Sequence, residues 1–360
     1  VEEFHNYLAG GFQEKTSGGN KRIVNLVNMN CGEITLGANT ACCLGSINLS
    51  KFWKTDKEDH TIVDTRKLRK VIRTAVRFLD DIIDVNAFPT PETEAASKAG
   101  RRIGLGVMGL HHLLIRLGYE YGSSEKTVEF LDWLNTLIRN ETYRASIEIA
   151  QEKGSFQRYD PVYYLRNDFI KTLPRSIRNL IKKHGIRNGA LLTVPPTGTT
   201  SMIANTSSGI EPIFAAAYIR RVITDGNDNA IEELVVDPLI NTLIKEGASF
   251  EHIQKVRTAH SLSPEDHLEI QKVYQDYIDN SISKTIYLPS DFVDDTLPDL
   301  LLDCIDDIKG VTLYKDNSRD LQPLVPVEFT KEMYDQIKNG IELATELSSM
   351  DACKDGTCDI

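Results

Sequence analysis

Cys31-Gly32-Glu33 sets a thiol two residues before a carboxylate, and a second thiol, Cys42, follows in the stretch ANTACCLGSINL. A cysteine in such a setting can serve as a nucleophile, a metal ligand or a carrier of a hydrogen atom. The neighbouring residues supply neither the base nor the oxyanion-binding groups that a cysteine hydrolase needs. Two further cysteines, Cys353 and Cys358, lie in MDACKDGTCDI at the C-terminal end. Two ligands with no histidine nearby are too few for a zinc site. A dithiol on a polar tail can instead reach different partners and exchange disulfides with them. Paired thiols, a carboxylate and a tail dithiol together point to a reaction that consumes two electrons and must be re-reduced. Cys43 and Cys304 read as buried structural thiols.

A second stretch, LLTVPPTGTTSMIANTSSGIEPIF, runs from an apolar β-branched segment into Pro195-Pro196 and then Thr197, Gly198, Thr199, Thr200 and Ser201. Free amides and hydroxyls at the start of a helix can hold an anion without a lysine, which would let an acidic chain bind a diphosphate. Composition alone also permits an ordinary Ser/Thr cap after a proline turn. Gly104-x-Gly106-x-x-Gly109 has the letters of a dinucleotide fingerprint, but what precedes it (ETEAASKAGRR) is polar and helix-like rather than a buried strand. Glycines that let a helix pack closely are the better account. His111 and His112, with no cysteine or acid at ligand spacing, read as packing or surface histidines.

The elements that must carry these residues alternate. Apolar residues recur at helical spacing over 64–85, 124–152, 230–246, 264–279 and 329–348, and PTPETEAA (89–96) is a turn leading into another helical region. Short β-branched runs at 189–194, 284–288 and 310–314 lie between them, which predicts an α/β architecture with a largely parallel sheet or barrel. Residues 1–30 read as irregular, with a loop at KTSGGNKR. The 360 residues are 41% hydrophobic, enough for a real core, and no apolar run approaches the ~20 residues that span a bilayer. A net charge of −11 argues against a nucleic-acid surface and against an anionic membrane. The first residues lack a secretory signal's basic start and apolar core, so a cytoplasmic, reducing setting is expected, in which thiol pairs mean redox chemistry or metal.

Together these residues resemble ribonucleotide reductase, most closely its adenosylcobalamin-dependent class II. The family's Asn-Pro-Cys-Gly-Glu and Ala-Cys-Asn-Leu-Gly-Ser-Ile-Asn-Leu are matched by Cys31-Gly32-Glu33 and by Ala41-Cys42-Cys43-Leu44-Gly45-Ser46-Ile47-Asn48-Leu49. RRIGLGVMGLHHLLIRLGYEYGS, PPTGTTSMIANTSSGIEPIFAAAY, TAHSLSPEDHLEIQ, DNSISKTIYLP and GVTLYKDNSRDLQPL follow in the family's order. The resemblance implies the C-terminal part of a ten-stranded α/β barrel that reduces a ribonucleotide at its 2′ carbon. It implies that Cys31 becomes the thiyl radical that takes the 3′ hydrogen, that Glu33 deprotonates the 3′ hydroxyl, and that Cys42 is one of two reducing thiols. Pro196 and Thr197 to Ser201 would hold the substrate phosphates, and Cys353 and Cys358 would relay electrons from thioredoxin or glutaredoxin. Class I enzymes receive their radical through adjacent tyrosines in a Thr-Tyr-Tyr pattern. Here that region reads Thr312-Leu313-Tyr314, which favours class II and an adenosylcobalamin cofactor. A closed barrel suits a thiyl radical, which survives only where water and stray reductants are excluded.

The other reducing cysteine and the allosteric region belong to the family's N-terminal half, so an upstream half or a homo-oligomer is an expected partner. Met29-Asn30 stand where the family has Asn-Pro. FHNYLAGGF (4–12) resembles the C-terminal block of an intein, and Asn30-Cys31 has the form of an intein junction, although Met29 replaces the usual histidine. The chain is therefore expected to divide into a leader (1–30), the C-terminal part of the reductase barrel (31–325), and a C-terminal helix with a redox-active tail (326–360). Two rivals stand beside this reading: a catalytically incompetent reductase fragment, and a generic dithiol oxidoreductase using only Cys353 and Cys358.

Overall fold

The computed structural model describes residues 32–41, 43–223, 230–292, 296–316 and 324–341, together with three two-residue strands nearer the start. Those strands are β1 (Glu14–Lys15), β2 (Lys21–Arg22) and β3 (Val27–Asn28). β1 and β2 pair antiparallel, and β3 pairs antiparallel with β4 (Thr35–Leu36). The first 30 residues are thus not wholly irregular, as their composition suggested.

The centre is an arc of parallel strands taken in chain order. β5 (Leu44–Asn48) runs parallel to β8 (Gly104–Met108), with β6 (Trp53–Thr55) and β7 (Thr61–Val63) forming an antiparallel hairpin between them in sequence. Leu105 bridges in parallel to Leu192, and Val194 in parallel to Ile282. The strand that passes through Ile282 continues into β11 (Thr285–Leu288), which pairs in parallel with β12 (Thr312–Lys315). The apolar runs near 189–194, 284–288 and 310–314 therefore form successive members of one arc. Among the described residues the arc does not close into a barrel.

Helices cross between these strands. α1 (Thr65–Val85) begins where the Asp64 carboxylate accepts the Lys67 amide, and Leu68, Ile72, Val76, Leu79 and Ile83 give it one fully buried face. Its other face is basic. Arg73 and Arg77 pair with Glu148 and Glu152 of α4 (Glu125–Lys153), at 3.0 and 2.7 Å, which sets the two helices side by side. Between them in sequence lie α2 (Pro91–Gly100) and α3 (Leu110–Leu117).

GLGVMG departs from the sequence reading. It is not helix packing: Gly104 and Gly106 lie inside β8, all five of whose residues are buried. A Cβ on Gly104 would come within 2.4 Å of Leu44, and one on Gly106 within 2.5 Å of Pro195 and 2.7 Å of the Thr193 carbonyl oxygen. These glycines bring three strands close together. They precede the strand-to-helix turn instead of forming it, so a dinucleotide loop is still not present.

A second layer holds β9 (Ala217–Ile223) between β10 (Ala230–Val236) and β13 (Leu324–Val327), all antiparallel. The helix expected over 230–246 is therefore a strand followed by α7 (Pro238–Lys245), after a numbering that runs α5 (Arg175–His184) and α6 (Gly198–Ile203). α8 (Pro264–Gln275), α9 (Leu297–Asp303) and α10 (Lys331–Lys338) complete the helices used below. The part of the predicted last helix beyond residue 341 lies outside the described residues. No helix is long and apolar enough to cross a membrane among these residues.

Candidate active site

Glu33 is held where two strands of the arc meet. The Ser281 amide donates to its carbonyl at 3.0 Å, and the buried Thr193 hydroxyl also donates to it. Gly32, just before it, has φ 77°, a left-handed turn that a side chain would strain, which accounts for glycine between the thiol and the acid. Glu33 is only 5% exposed, yet its Oε2 has no hydrogen-bond partner among the described residues, and neither has the Ser281 hydroxyl beside it. A buried carboxylate oxygen left without a donor is costly, and a bound ligand is one source of the missing partner. Cys31, Cys42, Cys353 and Cys358 all lie outside the described residues.

Pro195 and Pro196 end the strand through Val194, and α6 starts at once. Thr197 takes φ 53°, and its side chain makes no cap to the helix. Its Oγ1 instead accepts the Gly209 amide at 2.8 Å, so the ordinary N-cap reading does not hold. The first helical bond is from the Ser201 amide to the Thr197 carbonyl, which leaves the amides of Gly198, Thr199 and Thr200 ahead of it. Gly198, Thr199 and Thr200 are exposed, whereas Ser201 is buried with its hydroxyl on the Gly198 carbonyl at 3.0 Å. Pro196 accepts the Ser208 hydroxyl, which folds the loop back on itself.

Buried polar groups brace this loop. His112 bridges Thr206 Oγ1 (3.2 Å) and the Asp237 carboxylate (3.1 Å), while His111 Nδ1 accepts the Ile213 amide at 2.8 Å. Both histidines are buried packing residues. Burial, with the neighbouring His112, holds the His111 imidazole down to about 3. On the other side the buried Lys284 and His267 form a cluster with the half-buried Glu211. Lys284 is 1% exposed and shares a strand face with Ile282, Ile286 and Leu288. That pattern was legible: a lysine at period-two spacing within an apolar run sits on the buried face.

Cys304 is buried and Cys43 half-buried, its thiol on the Leu79 carbonyl at 3.5 Å and raised by burial and then by Asp80, as suits structural thiols. Asp80, Asp81 and Asp84 could in principle gather a metal ion. Their carboxylates are committed instead to Arg101 (2.8 Å from Asp80, 2.6 Å from Asp84), Arg187 (3.1 Å from Asp80) and Lys153. On β12, Tyr314 packs edge-on against Tyr287 of β11, with ring centroids 5.7 Å apart, and Lys315 follows it. The described strand therefore holds no tandem pair of phenols.

A family model described as ribonucleotide reductase, barrel domain, matches residues 15–314. The chain belongs to the ribonucleotide reductase family. It is 34% identical over 362 aligned residues to a vitamin B12-dependent ribonucleoside-diphosphate reductase of Thermoplasma acidophilum, covering 91% of this chain and 44% of that protein. A reductase of the same name from Mycobacterium tuberculosis is 33% identical over 317 residues, covering 82% of this chain and 42% of its own length. The ribonucleoside-diphosphate reductase subunit alpha of Chlamydia pneumoniae is 31% identical over 300 residues, or 72% of this chain and 28% of its own. The chain thus spans less than half the length of the curated relatives it matches.

Proposed function

We propose that this chain carries the radical thiol, the acid and the phosphate loop of a vitamin B12-dependent reductase that converts a ribonucleoside diphosphate to its 2′-deoxy form. The observation that carries the reading is Glu33: a buried carboxylate two residues from Cys31, anchored through its backbone, with one oxygen lacking a donor among the described residues. In the proposed reaction the Cys31 thiyl takes the 3′ hydrogen atom and Glu33 takes the 3′-hydroxyl proton. The 2′ hydroxyl then leaves as water. Cys42 and a thiol of an upstream half give two electrons and two protons and close to a disulfide, and Cys31 returns its hydrogen to the 3′ carbon. The net change is one ribonucleotide and two thiols to one deoxyribonucleotide, one disulfide and water. Cys353 and Cys358 reopen that disulfide by exchange and are themselves reduced by thioredoxin or glutaredoxin. Pro196 and Thr197 to Ser201 hold the diphosphate.

Adenosylcobalamin, when bound, supplies the radical that is passed to Cys31. Its support is the name of two relatives and the broken tyrosine tandem at Thr312-Leu313-Tyr314. The complementary half would complete a ten-stranded barrel by covering the open edges of the arc. The intein origin of the leader remains part of the proposal. FHNYLAGGF lies before residue 15, where the family match begins. Mixing this chain with an upstream piece ending in Asn-Pro and looking for a ligated product tests it.

The experiment is reduction of CDP with adenosylcobalamin and dithiothreitol, by this chain alone and mixed with the upstream half of a B12-dependent relative. Activity in the mixture that Cys31→Ser abolishes is the expected result. Folded, soluble material inactive in both favours the incompetent fragment.

A further inference from the structure

The ammonium of Lys284 has three donors, and three acceptors meet it: Glu211 Oε2 at 2.7 Å, His267 Nδ1 at 2.8 Å and the Thr285 carbonyl at 2.7 Å. Every donor is used, so Lys284 is not available to touch a substrate phosphate. His267 must offer a lone pair at Nδ1, which places its proton on Nε2, 3.2 Å from the Ala259 carbonyl. Burial, and then the Lys284 charge, hold this imidazole down to about 3, so it stays neutral near pH 7. The cluster is a locked arrangement of a cation, an anion and a neutral ring.

Glu211 connects the lock to the loop. Its Oε1 accepts the Thr285 amide at 2.6 Å, so both carboxylate oxygens are bound to neighbouring residues of one strand. Its own amide donates to the Ser208 carbonyl at 2.8 Å, and two residues earlier the Gly209 amide donates to Thr197 Oγ1. The buried Tyr121 hydroxyl donates to the Ile210 carbonyl at 2.5 Å between these points. A continuous path of hydrogen bonds therefore runs from Lys284 and Thr285, through Glu211, to Thr197 at the head of α6.

Stability alone does not account for such a pair. A buried ion pair can often be replaced by apolar residues of similar volume with little loss, because the desolvation of both charges offsets their attraction. A carboxylate that meets two donors on one strand does something an apolar pair cannot: it fixes distance and orientation together. We propose that Lys284 and Glu211 are positioning residues for the loop from Thr197 to Ser201, setting its place over the strand ends and hence the affinity for a nucleotide's diphosphate. The inference rests on reading that loop as the phosphate site.

The test compares CDP with cytidine, which lacks the phosphates, by titration calorimetry on the full chain. The variants are the double exchange Lys284→Met/Glu211→Met and the nearly isosteric Glu211→Gln, with thermal unfolding measured in parallel. The double exchange is expected to melt within a few degrees of the parent yet bind CDP about 10-fold more weakly, with cytidine affinity unchanged. Glu211→Gln keeps the shape and loses the charge, so it reads the same effect even if the double exchange fails to fold; it is expected to weaken CDP about 5-fold. In the reconstituted enzyme the change falls on KM, with kcat within about 3-fold of the parent. Variants that bind CDP as the parent does overturn the positioning role and leave the phosphate reading standing. A parent that binds CDP no more tightly than cytidine overturns the phosphate reading, and the positioning role with it.

Discussion

Replacing Asp80 by alanine is expected to destabilise the fold more than any change at its exposed neighbours. Asp80 is fully buried on α1. Its carboxylate receives Arg101 Nε at 2.8 Å, Arg187 Nε at 3.1 Å and Asn188 Nδ2 at 3.0 Å, and its carbonyl receives Arg101 Nη2 at 2.8 Å. Arg101 lies just before β8, and Arg187 and Asn188 lie just before the strand through Leu192. One carboxylate thus fixes the starts of two strands whose far ends carry the site. Removing one partner of a buried charge network costs about 3–5 kcal/mol, because the other partner is left buried and uncompensated. Here Asp84, with a side chain 41% exposed, still holds Arg101 at 2.6 Å. The lower end, about 3 kcal/mol, is therefore expected, roughly a hundredfold in the folding equilibrium. Asp81→Ala is the control: its carboxylate is 48% exposed and pairs with Lys153 at the surface, so a change of about 0.5 kcal/mol or less is expected. Urea unfolding of both variants reads these values. A loss below about 1 kcal/mol for Asp80→Ala, or equal losses for the two, would refute the reasoning.

Other outcomes follow from the same structure. Gly106→Ala would drive a Cβ into Pro195 and the Thr193 carbonyl and should cost about 2 kcal/mol or more, whereas Gly310→Ala meets nothing within 4 Å and should be near neutral; thermal melts separate them. His111 and His267 are each held to about 3 from an ordinary 6.5, chiefly by burial. The unfolded chain therefore takes up their protons first as pH falls. Their contribution is complete above about pH 6.5 and is lost on going down toward pH 3, with a slope of up to about 2.7 kcal/mol per pH unit for the two. Urea midpoints between pH 7.5 and 5 test this, and a flat profile would contradict it. Thr197→Val removes the acceptor of the Gly209 amide, and loss of that bond should weaken CDP binding about 5-fold while leaving cytidine binding unchanged.

Much of this was legible from residue pattern, and the failures have particular causes. The period of Leu68, Ile72, Val76, Leu79 and Ile83 gave α1 directly, since nothing tertiary opposed it. Gly104 to Met108 was misread because two glycines lower strand propensity and a polar helix ends just before them at Gly100. The deciding fact, that side chains there would strike Leu44 and Pro195, is tertiary. AIEELVV reads as helix from its Ala, Glu and Leu content. It forms a strand because its seven residues pair in register with β9, which buries Val235 and Val236 and sets Glu232 opposite Arg221 and Glu233 opposite Arg220. At the candidate site, Glu33 and the loop after Pro196 are proposals that motifs carry, and the helix expected at Gly198 is present. Lys284 and Glu211 belong to no motif, and what marks Lys284 is the strand face it occupies. Alternation with Ile282, Ile286 and Leu288 would have revealed it.

The central claim is that Glu33 is the base that takes the 3′-hydroxyl proton. The most direct measurement is formation of deoxycytidine diphosphate from CDP by the reconstituted enzyme, comparing the parent with Glu33→Gln and measuring CDP affinity alongside. General-base catalysis contributes about 10²–10⁴-fold, so turnover should fall by at least about 100-fold with CDP affinity within about 3-fold of the parent. Turnover by Glu33→Gln at the parent rate would contradict the claim, and would leave the unpartnered oxygen of Glu33 without a catalytic role.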